Sequence, residues 1–596
     1  MSNLENKLKK IVEDFNKSES KKSFNEIELL ISKNKNEIEL YKIYGQMLYK
    51  KGRLDEALKN FLYFNTQKKN DALILNYIYS ILIKRKLFDE ALKYINILLN
   101  LNSEHFEANR DKSFILLEKK DFINARKYND FAINLKPTDC YCLNISGLIY
   151  LKENKIIKAK SCFEKAIEIN KNYLDSYNNL GTCYFDLENL SEAFRFFKKA
   201  YRLDNLHINS IINIANILSL KDKNKSAINF YKKVLSIFPN HSETISNIAI
   251  CYCRANDEVN AKIYYEKAIN LNPNDEELKY AYSTFNIKLN NFKIGWPLFE
   301  SRFKIRKNLN KLKSFKQKEN SLFNINIFGT NESILVLREQ GIGEEILFSS
   351  IYNDLISSHS NLKIETDKRL INVFKRSFKK DIFVPEGYYS NNLSKYDFKH
   401  VLYSGSLIKY FRTRVEDFKR SKYLVAEKNI VDKFKIRLGH NTKNLKVGIS
   451  WRSIINIYGS LKSMTIKDFE PFFEANRQII NLQYGNIDDE VKYLKNQNKK
   501  IEFFEDVNLF NEIDSCLGLL SNLDLFVTVS NSTAHLAGAL GIPTILICPK
   551  KSSTYYYWNT YSENSVWYKN IRVIGVKDSL AKTIKRVNNL IKDKYE

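Results

Sequence analysis

The sequence predicts an all-α array of helical repeats followed by an α/β region of parallel, doubly wound sheets. Three observations carry this. Alanine recurs at Ala57, Ala91, Ala125, Ala159, Ala193, Ala227 and Ala261, every 34 residues without an insertion. Beyond residue 332 short apolar runs alternate with helical segments instead. Gly (18) and Pro (8) are scarce among 596 residues, which excludes collagen-like and Pro-rich architectures and favours long helical stretches.

A period of 34 is that of the tetratricopeptide (TPR) repeat, two antiparallel helices per unit. The clearest unit is YNNLGTCYFDLENLSEAFRFFKKAYRLD, where Tyr177, Leu180, Gly181, Tyr184, Ala193, Phe197 and Ala200 occupy the pattern positions. Small residues such as Gly147, Gly181 and Ala193 sit where paired helices approach, and Tyr150, Phe163, Tyr184 and Phe197 fill the space beside them. Pro137, Pro239 and Pro273 close units after their second helix. One step back from the alanine lattice lands on Ser23, and one step forward on Gly295. The array is therefore expected over 1–303, with about nine hairpins from residue 4 onward and degenerate outer ones. A TPR superhelix has a concave groove that takes an extended peptide or partner segment, which by itself says only that something binds.

The next stretch, 304–331, reads as a basic linker; the densest basic run, Lys304 to Lys318, opens it. Two α/β halves are expected beyond, 332–440 and 441–596, with a seam near 430–445. The strand candidates are SILVLRE, NLKIET, DIFVP, KHVLYSG, KVGISW, QIINLQYG, KIEFFED, LDLFVTVS and PTILICP. Helical segments such as GEEILFSSIYNDLIS, IKDFEPFFE, FNEIDSCLGLLSN and TAHLAGALG separate them. Such alternation gives parallel sheets, whose ligands sit beyond the carboxyl ends of the strands.

Two strand-to-helix junctions stand out. In LREQGIGEEILF, Gly341 and Gly343 permit a tight turn after a strand, and Glu344 and Glu345 open the next helix; two glycines and a helix-start acid also explain this locally. In LFVTVSNSTAHLAGALGIP, Ser530, Asn531, Ser532 and Thr533 fall where strand becomes helix, with His535 in the first turn. Hydroxyls and free N–H groups at a helix start form an anion site suited to a diphosphate.

With these segments the second half resembles the heptosyltransferase-like GT-B glycosyltransferases. The matching stretches are FKIGWPLFESRF (292–303), REQGIGEEILF, GSL (405–407), VGISWR (447–452), LQYG (482–485), LDLFVTVSNSTAHLAGALGIP and SVWYKNIRV (565–573), in the family's order over roughly 280 residues. The resemblance implies two Rossmann-like halves and transfer of a sugar from a nucleotide-sugar held by the second half. It implies a general base from the Gly-rich loop of the first. That family usually has Asp after the loop's second glycine, where this chain has Glu344. It often has Asp-Thr before Ser-x-Ala-His, where this chain has Ser530 and Asn531.

The remaining candidates each carry two readings. His535 is either a donor-binding group or a satisfied helix-start histidine. Arg452, after the VGISW strand, and Lys462, in KSMT, either face the diphosphate or are ordinary surface cations. Gln483 either hydrogen-bonds the base or ribose or caps its own turn. Asp506 ends a strand candidate and is read as a helix N-cap. Trp296 is read as packing the last hairpin against the catalytic half.

The formal net charge of +27 suggests nucleic acid, but the lysines are scattered among Asn, Ile and Glu, as on a solvated surface. Eight cysteines without a CxxC pair read as buried free thiols. No DxD-like pair ends a plausible strand, so no metal and no cofactor are expected, and a helix dipole with Arg or Lys would neutralise the diphosphate. No run of about 18 apolar residues exists to span a membrane, and MSNLENKLKKIVEDF lacks a signal-peptide core. The expected protein is a cytoplasmic, metal-independent, inverting glycosyltransferase whose TPR superhelix presents or selects the acceptor, with a protein or peptide partner in its groove. The competing expectation is a non-catalytic TPR scaffold with a decayed transferase fold.

Overall fold

The computed structural model describes residues 3–18, 21–305, 332–389, 391, 396, 398–439, 443–453, 459, 461–550, 554–558 and 562–596. The expected linker lies outside them from residue 306 onward, as do residues 440–442 of the expected seam. The chain divides into two compact units, Met1–Ser210 and Ile211–Glu596.

Nine antiparallel hairpins occupy the described residues up to Phe299. They are α1 Asn3–Ser18 with α2 Lys21–Lys33, α3 Ile38–Lys50 with α4 Leu54–Gln67, α5 Ala72–Lys84 with α6 Phe88–Leu101, and α7 Phe106–Glu118 with α8 Phe122–Leu135. Then follow α9 Cys140–Lys152 with α10 Ile156–Ile169, α11 Leu174–Asp186 with α12 Leu190–Leu203, and α13 Ile208–Leu220 with α14 Asn224–Ile237. The last are α15 Ser242–Arg254 with α16 Glu258–Leu271 and α17 Glu276–Lys288 with α18 Phe292–Phe299. Each lattice alanine is fully buried in the second helix of its pair. Within the first unit, a β-carbon on Gly45, Gly147 or Gly181 would lie 2.6, 2.4 or 2.6 Å from the ring of Phe61, Phe163 or Phe197. The glycine is therefore the seat of the aromatic sixteen residues on.

The turns inside the pairs repeat as strictly. Lys86, Lys120, Asn154, Glu188, Asp222, Asn256 and Asn290 all have φ between 57° and 64°. Each ends a first helix in the left-handed conformation that lets the next amide reach back, as Leu87 N does to Leu82 O. The first helices are capped at the same period, by Asp71, Asp139 and Asp275 and also by His105, His207 and His241, whose Nδ1 accepts a backbone N–H 3.3 Å away.

A short helix α19, Arg302–Ile305, follows, and the α/β part begins at residue 332. Its first sheet runs β1 Ile334–Leu337, α20 Ile342–Phe348, α21 Tyr352–Ser358, β2 Leu362–Thr366, α22 Ile371–Phe378, β3 Phe383–Pro385, β4 His400–Tyr403, α23 Ser404–Phe411 and α24 Lys428–Arg437. The second runs β5 Leu445–Ser450, β6 Arg477–Asn481, α25 Asp488–Asn496, α26 Ile513–Leu520, β7 Leu525–Val529, α27 Ser532–Leu540, β8 Thr544–Cys548, β9 Ile571–Gly575 and α28 Leu580–Tyr595. Among the described residues every strand pair of both sheets is parallel, in the orders β3-β2-β1-β4 and β6-β5-β7-β8-β9, and a single antiparallel bridge joins Asn564 to Arg572 of β9. β1, β4, β7 and β8 are buried at every residue, so they read as continuous apolar runs.

Two strand expectations change. KIEFFED makes only one bridge, Ile480 to Glu502, because it lies beyond the edge strand β6 and its flanking residues are only half-buried. The ninth strand is IRVIG, which follows the aromatic run SVWYKN and pairs with β8. IKDFEPFFE winds as a 3₁₀ segment, Ile466–Phe472, since Pro471 cannot donate to a continuing α-helix.

One core joins α18 to both sheets, from Trp296 and Phe299 through β1 and β4 to Ala537 and Trp567. Trp296 is 2% exposed and its Nε1 donates to Arg412 O at 2.7 Å, while its ring meets Trp567 edge-on, as expected of it. Beneath it, Arg302 donates to both carboxylate oxygens of Glu339 at 2.8 and 3.0 Å and to Ser406 Oγ at 2.9 Å. Gly405 N completes the coordination of Glu339 at 2.6 Å. Burial alone would disfavour the guanidinium charge, but Glu339 and Glu300 hold it firmly protonated.

Candidate functional site

In each sheet the strand order reverses beside the first strand, between β1 and β4 and between β5 and β7. Crevices at such points open at the carboxyl ends of the strands. The junctions that follow β1, β5 and β7 hold the predicted residues. In the second unit α20 packs on α27, so the helix starts after β1 and β7 meet. Gly341 is the N-cap of α20, and Glu344 is half-buried in its first turn. Gly343 sits against His535: an added β-carbon would come 3.0 Å from His535 Cδ2 and 3.6 Å from Nε2.

Glu344, Lys462 and His535 form one electrostatic group. Lys462 is 5% exposed, and burial lowers its pKa to about 8 against the opposing pull of Glu344. Its Nζ lies 4.6 Å from the centre of the Tyr555 ring. Burial first, then the charge of Lys462, pushes His535 down to about 3, so the imidazole is neutral at physiological pH. His535 stacks on Trp558 at 4.8 Å and meets Tyr557 edge-on at 5.1 Å, and its Nδ1 lies 3.0 Å from Tyr568 Oη. Burial raises Tyr556 and Tyr557 well above the usual phenol range, and the Glu344 charge adds to it. The run TYYYW (554–558) thus walls the group, with Tyr568 behind it. No expectation falls on TYYYW, although four consecutive aromatics after a strand are an available signal; Tyr568 belongs to SVWYKNIRV (565–573), one of the resembling stretches.

The other predicted residues hold this junction together. Asn531 caps α27 through Ala534 N at 3.0 Å, and its Nδ2 donates to Ser450 Oγ at 2.8 Å. Ser530 Oγ accepts from Trp558 Nε1 at 3.0 Å. Ser532 and Thr533 line a small cavity with Ile342, Arg369, Tyr484 and Phe510. Ser532 and Ser453 also supply hydrogen bonds that oppose the burial-driven rise of the Tyr484 pKa.

Gln483 turns inward. Its Oε1 accepts from Ser450 Oγ, Trp451 N and Arg452 N at 3.1, 3.0 and 2.8 Å, and its Nε2 donates to Tyr484 O at 2.8 Å. It therefore fixes the end of β5 against that of β6. The Arg452 guanidinium is engaged by Glu490 and Asn486 O. Asp506 caps no helix; it forms a forked pair with Arg437 at 2.9 and 2.7 Å, because its strand never forms and leaves it on an exposed loop. Glu345 faces the other way from Glu344. It is 1% exposed, pairs with Arg338, and accepts from Thr366 and from Asp367 N.

Beside the junction, past the end of β6, an open cavity of about 1030 Å³ is lined by Tyr484, Asn486, Asp488, Lys492, Phe504 and Phe510, among others. Among the described residues no group of three or more His, Cys, Asp or Glu is placed to hold a metal ion, and no helix is long and apolar enough to cross a membrane.

Family models described as tetratricopeptide repeat match residues 162–195 and, separately, 141–173, 208–241 and 244–275. The chain thus carries TPR repeats within its helical array. Protein FlbA of Caulobacter vibrioides is 25% identical over 320 residues, covering 50% of this chain and 51% of FlbA; the chain spans about half the length of that curated relative. Among solved structures, YrrB, a TPR protein with an unusual peptide-binding site, is 20% identical over 32% of this chain and 97% of its own, with a TM-score of 0.26. A tetratricopeptide repeat protein from Parabacteroides merdae is 16% identical over 41% of this chain and 98% of its own, with a TM-score of 0.38. The APC/C hetero-tetramer Cut9-Hcn1 is 14% identical over 49% of this chain and 57% of its own, with a TM-score of 0.39.

Proposed function

We propose that the chain is a GT-B glycosyltransferase that moves a sugar from a nucleotide-sugar to an acceptor chosen by its TPR repeats. The supporting observation is the convergence of Glu344, Lys462 and His535 where α20 and α27 start, at the carboxyl ends of two parallel sheets. The two sheets serve as Rossmann-like halves. The α27 start and Lys462 receive the diphosphate, and fixed positive ends stabilise the departing nucleotide. The aromatic and polar cavity past β6 receives the base and ribose. Glu344 takes the acceptor proton as the anomeric carbon is attacked, and inversion follows from a single displacement. The repeats bind a protein or peptide that carries or presents the acceptor. Eight cysteines, none in a disulfide, suit a reducing cytoplasmic setting.

A second reading, a TPR scaffold with a non-catalytic α/β part, draws on a specific observation. Gln483, Asn531 and Ser530 spend their polar atoms on the protein, and the cavity between α20 and α27 measures only about 20 Å³. Incubating the purified chain with UDP-, GDP-, ADP- and CMP-sugars separates the two. Thermal stabilisation by one donor, with its slow hydrolysis, supports the transferase. Neither effect with any donor supports the scaffold.

A further inference from the structure

The shell around His535 determines where that ring carries its proton. Tyr423 Oη lies 2.8 Å from Ile346 O, and a carbonyl only accepts, so the single Tyr423 proton is spent there. Among the described residues Tyr568 Oη then has two polar neighbours within hydrogen-bond reach, Tyr423 Oη at 3.5 Å and His535 Nδ1 at 3.0 Å. The first is longer than an O–H···O bond, whose range ends at about 3.0 Å; the second is an ordinary hydrogen-bond distance. Tyr568 is 2% exposed, and a hydroxyl so buried keeps its proton in a hydrogen bond. Its proton therefore goes to Nδ1, which must offer a lone pair. A neutral imidazole has one N–H, and here that places it on Nε2. Nε2 is the nitrogen turned toward Gly343 at the start of α20, in the group that holds Glu344 and Lys462.

We propose that Tyr568 is a positioning residue that locks His535 in the Nε2–H tautomer, so that the ring offers a neutral N–H donor to an anionic phosphate oxygen beside Gly343. The ligand half of this proposal rests on the nucleotide-sugar reading; the tautomer half does not. A neutral donor suits such a place. It hydrogen-bonds a diphosphate without adding a second buried positive charge next to Lys462, and the tyrosine prevents the ring from presenting a lone pair that would repel the oxygen.

The test is ¹⁵N-histidine labelling of the full chain and long-range proton–nitrogen correlation near neutral pH, with His535→Gln used to assign the signal. The expected result is an unprotonated Nδ1 and a protonated Nε2. Tyr568→Phe should convert this into a tautomer mixture and weaken binding of whichever of UDP, GDP or ADP stabilises the wild type by about tenfold. Tyr423→Phe should leave the tautomer unchanged, whereas a relay running from His535 through Tyr568 to Tyr423 would switch it. A protonated Nδ1 in the wild type, or a Tyr568→Phe variant with the original tautomer, overturns the proposal. Wild-type protein that shows the Nε2–H signal but binds no nucleoside diphosphate upholds the tautomer and removes its ligand together with the nucleotide-sugar reading.

Discussion

A β-carbon on Gly343 would lie 3.0 Å from Cδ2 of His535, so the helix that follows β1 starts in contact with the histidine of the helix that follows β7. Neither sheet contains this contact alone. It brings a half-buried carboxylate, a buried lysine and a neutral imidazole within one electrostatic neighbourhood.

Gly343→Ala should force the His535 ring aside by a few tenths of an ångström. The expected cost is about 1–3 kcal/mol of stability, as for other overpacked sites, with weakened nucleoside diphosphate binding. Gly341→Ala is the control, because nothing lies within 4 Å of its would-be β-carbon and the position is an ordinary extended one. Its stability should stay within about 0.5 kcal/mol of wild type in denaturant melts.

The two adjacent carboxylates should separate cleanly. Glu344→Gln is expected to lower the transfer rate by about 10²–10⁴-fold with donor affinity nearly unchanged. Glu345 is buried against Arg338, Thr366 and Asp367 N, so Glu345→Gln should instead cost about 1–3 kcal/mol of stability. Steady-state rates and melts on both variants decide the matter; an active Glu344→Gln enzyme removes that residue as the base.

His535 makes the α/β part sensitive to acid. Its folded pKa of about 3 lies below the unfolded value near 6.5, so unfolding takes up a proton and acid favours the unfolded chain. The contribution is fully present above about pH 6.5. It is lost at about 1.4 kcal/mol per pH unit as pH falls toward 3, and levels off below. Melting temperature against pH for wild type and His535→Gln should diverge over that window, with the variant flatter. Parallel curves would show that the histidine is protonated in the folded protein.

Arg302 ties the last hairpin to β1. Arg302→Met leaves Glu339 buried without its partner and should cost about 3–5 kcal/mol, part of which Glu339→Gln in the same chain should restore. By the same logic a fragment starting at residue 332 loses Trp296, Phe299 and Arg302 from its core and should not fold. Residues 1–204, whose repeats pack mainly on their neighbours, should give a helical circular-dichroism spectrum alone. A well-folded 332–596 fragment would show that α18 and α19 are dispensable.

Much of this was legible in the chain. The lattice from Ala57 to Ala261 located the second helix of each of those pairs, because a TPR hairpin is held by contacts sixteen or 34 residues apart and so repeats in sequence. Ser23 lies in α2 and Gly295 in α18, the second helices of the outermost described pairs. Strands such as LFVTV and TILIC were visible because burial on both faces demands unbroken apolar runs. The left-handed turn at Lys86, Lys120 and Glu188 was not visible, since neither Lys nor Glu advertises positive φ. KIEFFED looked like a strand, yet its edge position gave it only one bridge.

Neighbours along the chain set the elements and the junctions: helical pairs of fixed period, buried strands, and the polar residues at their carboxyl ends. What those polar residues face is set by the packing of distant segments. Arg302 meets Glu339 across 37 residues and Ser406 across 104, the Gln483 amide bonds the end of β5 although the residue lines the cavity past β6, and TYYYW folds over His535. Periodicity and propensity are set by neighbours along the chain, whereas the partner of a buried polar atom is set by the register and packing of segments far apart in it.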